Sequence, residues 1–358
     1  MGSLLRPKEL LEARDRKQRG EITAAELRQV EDAAIRKAVA LQEEVGLQAV
    51  TDGEFRRTYF HIDFLEQLGG VKVAGATPAT FRMGGGEEVV FSRPRLRVVD
   101  KLRHVGGIQN DDFDFLSSLT QRTPKVCIPS PTMLHFHQGR GGVDEGTYPR
   151  MEDFFADLAK AYQTEIGLLA ERGCRYLQLD DTNLAFLCDP AMRERARAIG
   201  ENPDALPRLY AQIINEAIRA RPPEMTVCIH LCRGNFQSAW LAQGGYEPVA
   251  EALFTEMEVD GYFLEYDDER SGDFQPLRFV PKGKKVVLGL ISSKFPALES
   301  KDAIKRRIEE ASRFVPMEDL ALSPQCGFSS TVEGNKVTQA DEINKLRLVV
   351  EVAEEVWG

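Results

Sequence analysis

The stretch ALPRLYAQIINEAIRARPPEMTVCIHLC (205–232) holds an amphipathic run followed by an apolar one. Apolar residues at three- and four-residue steps predict a helix over 205–220, and the run that follows predicts a strand over 225–232 that ends on an imidazole and a thiol. The same alternation recurs along the chain. Helical spacing is strongest over 23–45, 151–172, 205–220, 300–314 and 340–356, and short apolar runs closing on polar residues fall at 47–54, 125–131, 175–181, 225–232, 261–267, 285–293 and 320–326. Strands alternating with helices imply βα units and a parallel sheet buried on both faces.

Such an α/β chain predicts a single (β/α)8 TIM barrel, which needs one strand more than the seven runs provide. The missing strand belongs before the first helix, where GSLLRP begins at once; it is expected either upstream of residue 1 or as a remnant at Met1–Leu4. The segment 70–103 breaks the rhythm with alternating residues and three glycines at 84–86, and predicts a β-hairpin insertion over one end. With no repeat or low-complexity linker, residues 1–358 are expected to form one catalytic barrel domain. A doubly wound sheet is the alternative, but no GxGxxG follows the first strand.

The 358 residues include 42% apolar and 28% charged side chains, an ordinary globular balance, and the net charge of −10 argues against a nucleic-acid or anionic-membrane binder. No apolar run is long enough to span a membrane and no signal peptide is evident, so a cytoplasmic location is expected. The six cysteines are then expected to be reduced, with any special ones acting as ligands or nucleophiles.

In a barrel of this kind the site is built at the carboxyl ends of strands. Those ends offer Glu54, Asp180 and Asp181, His230 and Cys232, Glu265, and Cys326. His230 and Cys232 are two residues apart and share a strand face, so a nitrogen and a sulfur converge on one point. Zn2+ suits that mixture, with Cys326 and Glu265 available to complete a tetrahedron. Cys127, Cys174, Cys188 and Cys228 read as apolar fillers, whereas Cys326 sits in the polar loop SPQCGFSS. A thiolate-rich zinc site suggests activation of a substrate thiol. Glu54 and Asp180 suit a substrate ammonium, although an acid at a strand end also caps helices or pairs with arginine, and Asp181 fits that plainer role equally well.

VTDGEFRR, LQLDD, IHLCRGN, FLEYD and SPQCGFSS, in this order over almost the whole chain, resemble the catalytic domain of cobalamin-independent methionine synthase and its short, single-domain relatives. The resemblance implies a zinc-dependent methyltransferase of methionine biosynthesis, with His230, Cys232, Glu265 and Cys326 as metal ligands. It implicates Gly2 and Ser3 in holding an amino-acid carboxylate, and Glu54 and Asp180 in binding the homocysteine amine. The partners implied are a homocysteine-like thiol and a methyl donor such as methylfolate, in a protein that is compatible with a homo-oligomer. Three departures stand out. The length leaves no room for the extra N-terminal barrel of full-length enzymes. The folate platform after PTML is Phe136 in place of tryptophan, flanked by His135 and His137. LGLISSK offers Lys294 where an acid-base histidine is expected, so Lys294, with Asp180, is the catalytic candidate. The segment FRRTYFHIDF (55–64), with His61, is a candidate for choosing the partner; the plainer reading is a capping loop with exposed arginines. Two alternatives follow from these departures: an alkyltransferase joining another thiol and electrophile, as in epoxide and coenzyme M chemistry, or a zinc hydrolase or lyase. A barrel with a purely structural zinc is a third.

Overall fold

The computed structural model describes residues 2–83 and 87–358. In chain order its strands are β1 (Ala49–Val50), β2 (Gly69–Arg82), β3 (Glu88–Arg103), β4 (Thr123–Pro124), β5 (Val126–Pro129), β6 (Tyr176–Asp181), β7 (Thr226–Leu231), β8 (Gly261–Glu265), β9 (Lys285–Ile291) and β10 (Leu320–Pro324). β5 to β10 form one parallel sheet in which each strand pairs with the next. These are the short apolar runs of the sequence, and most of their residues are buried, as a sheet covered on both faces requires.

β1 pairs in parallel with β4, and Lys125 N donates to Val50 O at 2.8 Å before β5 begins. Residues 2–4 touch both ends of the series. Leu4 N donates to Gly53 O (3.1 Å), and Phe328 N, just past β10, donates to Ser3 O (2.9 Å). The strand expected over 47–54 keeps its ladder only at Ala49–Val50, because Gly53 (φ 69°) and Glu54 (φ 58°) turn left-handed.

β2 and β3 pair antiparallel, with irregularities between Gly69 and Val71 and between Val73 and Ala76. The glycines 84–86 expected at their tip lie outside the described residues. Two loops fasten the pair down. Arg82 and Trp240 exchange backbone hydrogen bonds (2.7 and 2.8 Å), and Asp144 N donates to Val98 O (2.9 Å).

The helices are α1 (Lys8–Gln18), α2 (Ala24–Glu44), α3 (Ile62–Leu65), α4 (Asn110–Ser118), α5 (Met151–Glu171), α6 (Asn183–Phe186), α7 (Pro190–Ala198), α8 (Leu206–Ile218), α9 (Lys301–Ala311) and α10 (Gln339–Trp357). The five with strong apolar periodicity fall within three residues of their expected ends. α2 and α10 both start at capping boxes, Thr23 with Glu26 and Thr338 with Asp341, each of which satisfies otherwise orphaned amide groups. α5 turns Phe154, Leu158, Tyr162 and Ile166 inward with no exposed surface, each burial contributing about 1.5–3 kcal/mol. α1 goes unread in the sequence because only Leu10 and Ala13 are buried, too few to make a stripe. No helix among the described residues is long and apolar enough to cross a membrane.

Candidate functional site

Four donor atoms converge at the carboxyl ends of β7, β8 and β10, with β9 between the last two. His230 lies on β7, Cys232 one residue past it, Glu265 closes β8, and Cys326 follows β10; their ligand atoms all lie within 4.8 Å of one another and all four residues are buried. The sulfurs of Cys232 and Cys326 are 3.4 Å apart, both thiols free. His230 Nδ1 lies 3.3 Å from Phe263 O. A carbonyl only accepts, so the proton is assigned to Nδ1 and the lone pair falls to Nε2, a buried atom with no hydrogen-bond partner. An orphaned imidazole nitrogen facing two thiols and a carboxylate is the donor chemistry zinc takes, and these residues fit it.

The thiols are unequal. Donation from Cys232, with His230 and Lys294 nearby, holds Cys326 well below the usual thiol range; the same hydrogen bond, with burial, holds Cys232 well above it. Glu265 is fixed by a residue that sequence reasoning missed. Arg233, with no exposed surface, gives its backbone N–H to Glu265 Oε2 (3.1 Å), while Nη1 donates to Glu265 O (3.1 Å) and to the Tyr246 hydroxyl (3.0 Å). The only sequence signal for it was its place directly after Cys232. Such partners orient ligands and tune a metal.

A second cluster joins Glu54, Cys127 and Asp180, again with ligand atoms within 4.8 Å. Glu54 sits at positive φ, held by its amide donating to Asp52 (2.9 Å) and by its carbonyl accepting from Arg57 N and Arg6 Nη2 (both 3.1 Å). Such backbone strain collects at functional positions. Burial pushes the Glu54 carboxyl up to about 7, with Arg57 opposing and Asp180 reinforcing. Burial likewise raises Asp180, against His230 and a hydrogen bond from Gln178 (2.6 Å). Two buried acids side by side favour an incoming cation. Gly2 packs against them so closely that a Cβ there would lie 2.2 Å from Glu54 Oε1 and 2.7 Å from Cys127 Sγ. Ser3 Oγ would likewise lie 2.0 Å from a Cβ on Gly327, and it accepts from Ser329 N at 3.4 Å.

Both clusters open on one cavity. Gly2, Ser3, Glu54, Asp180, His61, His230, Cys232 and Cys326 all reach its wall. Asp181 has the structural role: it accepts from Thr132 Oγ1 (2.6 Å) and from Leu184 N (2.9 Å) at the start of α6. His135 and Phe136 are not on the wall. His135 Nδ1 lies 3.0 Å from the Tyr210 hydroxyl and its Nε2 3.4 Å from Glu201, while Phe136 packs on Phe186 and Tyr210. The wall there is His137 and Phe186. Lys294 is also off the wall, 1% exposed, its Nζ without a hydrogen-bond partner. Against burial, Lys294 and Arg270 hold Asp267 below the ordinary carboxylate range. Arg57 is buried and Arg56 half-buried, not exposed as a simple capping loop would have them: Arg56 pairs with Glu31, Asp32 and Asp112, and Arg57 with Glu54 at 3.7 Å.

Part of the remaining wall is aromatic; Tyr59 belongs to the 55–64 segment flagged in the sequence, whereas Phe81, Phe91 and Phe236 were missed. β2 and β3 lay Phe81 and Phe91 over the opening, where Phe91 stacks on Phe236 (centroids 4.4 Å) and meets Tyr59 (5.8 Å). The available signal was the alternation in 79–92, which the antiparallel register converts into two rings on one face.

The family model for the catalytic domain of cobalamin-independent synthases matches residues 1–355. The chain is 47% identical to the uncharacterized protein YxjG of Bacillus subtilis, over 100% of this chain and 93% of that one. It is 26% identical to a methionine synthase of Pyrococcus abyssi, over 92% and 85%. Among solved structures, a putative vitamin-B12 independent methionine synthase from Listeria monocytogenes is 41% identical with a TM-score of 0.80, covering 100% of this chain and 96% of that one. A B12-independent methionine synthase from Shewanella sp. W3-18-1, in complex with selenomethionine, shares the fold at 20% identity and a TM-score of 0.73, over 99% and 96%.

Proposed function

The chain belongs to the cobalamin-independent synthase catalytic-domain family, and from that premise we propose that it is a zinc-dependent thiol methyltransferase whose acceptor is homocysteine and whose product is methionine. The observation that carries this reading is one cavity whose wall includes three members of the four-donor cluster, His230, Cys232 and Cys326, and the paired acids, with Glu265 buried behind it. Residues 2–4, β1, the β4–β5 run and β6 to β10 are read as the eight staves of a closed (β/α)8 barrel. The hydrogen bonds of Leu4 to Gly53 and of Phe328 to Ser3 support that closure. The antiparallel pair β2–β3 is read as an insertion over its mouth, and the whole as one catalytic domain.

His230, Cys232, Glu265 and Cys326 would hold the metal. Bound zinc supplies Lewis acidity that keeps a substrate thiol ionised at neutral pH. Glu54 and Asp180 bind the substrate ammonium, which aims its sulfur toward the donor cluster. The Gly2–Ser3 segment takes the carboxylate. Arg233 keeps Glu265 in place, and the aromatic wall excludes water from the reacting sulfur.

X-ray absorption at the zinc edge of the loaded protein tests this reading. Saturating homocysteine is expected to shift the edge as a further sulfur joins the metal. An unchanged edge would remove homocysteine as the acceptor and leave a structural or hydrolytic zinc as the better account.

A further inference from the structure

Part of the cavity wall is lined by rings. Tyr59, Phe60, Phe81, Phe91, Phe186 and Phe236 all reach the wall. They come from separate parts of the fold: the loop after β1, the β2–β3 pair, α6 and the loop after β7. Tyr59, Phe81, Phe91 and Phe236 are in mutual contact, with centroids 4.4 to 6.5 Å apart. No lysine or arginine among the described residues lines this cavity. Its titratable wall groups besides the two clusters and Asp181 are Tyr59, His61 and His137.

Aromatic faces present negative potential, and a desolvated cation gains from them where a neutral group of the same shape does not. We infer that the methyl donor is an onium compound, a methylsulfonium or quaternary methylammonium, whose charged head sits against Phe91, Phe236 and Tyr59. The inference rests on the thiol methyltransferase reading above and narrows its donor. The sulfur of ionised homocysteine forms the new S–CH3 bond while the CH3–S+ bond of the donor breaks. The electron pair of that bond stays on the departing sulfur, which leaves as a neutral thioether. No proton is consumed, whereas a methyl on a neutral tertiary amine needs nitrogen protonated to leave. The rival is visible too: Arg95 and Arg195 line an adjoining pocket of about 430 Å3 that shares His61, Met133 and His137 with the cavity, where the carboxylates of a folate would find cations.

Zinc-loaded enzyme and homocysteine are incubated separately with trimethylsulfonium, methyltetrahydrofolate, methylcobalamin and methyl iodide, and methionine is measured by mass. Turnover is expected with trimethylsulfonium, with little from the folate. Tetramethylammonium is expected to compete, and the neutral isostere tert-butanol to compete roughly tenfold less well; Phe236→Leu and Phe91→Leu should each erase most of that gap. Use of methylfolate or methylcobalamin without trimethylsulfonium, or equal competition by the charged and neutral probes, overturns the onium donor and leaves the methyltransferase standing. No methionine from any donor beyond that formed in enzyme-free controls, methyl iodide included, sinks both.

Discussion

The two buried clusters of the cavity look alike on paper, each a small set of ligand-type side chains within 4.8 Å, yet their chemistry diverges. In the first, His230 offers a bare nitrogen and the Cys326 thiol is biased toward ionisation by its neighbours. In the second, burial and the adjacent Asp180 push the Cys127 thiol far up, so it stays protonated, and Arg57 stands beside Glu54. A cluster rich in thiolate and imidazole suits a soft metal, whereas one of crowded acids with a protonated thiol suits an organic cation. Residue inventory alone does not tell a metal centre from an ammonium pocket; the surrounding charges do.

The largest expected effect tests this division directly. Cys232→Ser and Cys326→Ser should each lose stoichiometric zinc by metal analysis, and activity should fall more than about a hundredfold, beyond what changes to supporting residues usually cost. Cys127→Ser should keep its zinc. Full metal retention in both ligand variants would erase the distinction between the clusters. A smaller effect sharpens the other side: Asp180→Asn should raise the homocysteine KM by roughly ten- to a hundredfold, the worth of one hydrogen bond to a charged group, with zinc content unchanged. If the zinc falls instead, the two clusters are one.

The smallest effect concerns residues 2–6, which lie between the clusters. Leu5 N donates to Glu342 Oε1 at 2.9 Å, and burial pushes that carboxyl up to about 8. Between the ordinary glutamate range and that value the folded chain holds a proton the unfolded chain has released, so this group makes stability fall as pH rises through the window. Glu342→Gln still accepts from Leu5 and carries no such penalty. Its melting temperature should match the parent near pH 4 and exceed it by a few degrees near pH 8; equal pH slopes in thermal scans would show that Glu342 is not the cause.

His230, Cys232, Glu265 and Cys326 could be picked out in the sequence because parity along a parallel strand, and position at its end, are properties of the chain itself. Gly2 and Ser3 came only through family resemblance, since nothing local marks a glycine that must clear Glu54 by the width of a methyl group. His135 and Phe136 landed off the wall because Pro131–Leu134 forms a 3-10 turn, which rotates the following residues so that His137 faces the cavity. The aromatic chamber was hidden for another reason. Its rings meet only after β2 and β3 pair and reach the loops that carry Tyr59 and Phe236, a contact no short window of sequence contains.

Arg6 donates to backbone oxygens of Glu54, Arg57, Ser329 and Thr331, bonds spanning from 48 to 325 positions of chain. Its partners therefore arrive at widely separated times during synthesis. While the polypeptide is still emerging, Glu54 and then His230 are already made, but the loop carrying Cys326 and the carbonyls of residues 329 and 331 are not. The four-donor cluster is thus complete only once the loop carrying Cys326 has arrived: a chain cut before it holds three of the four donors.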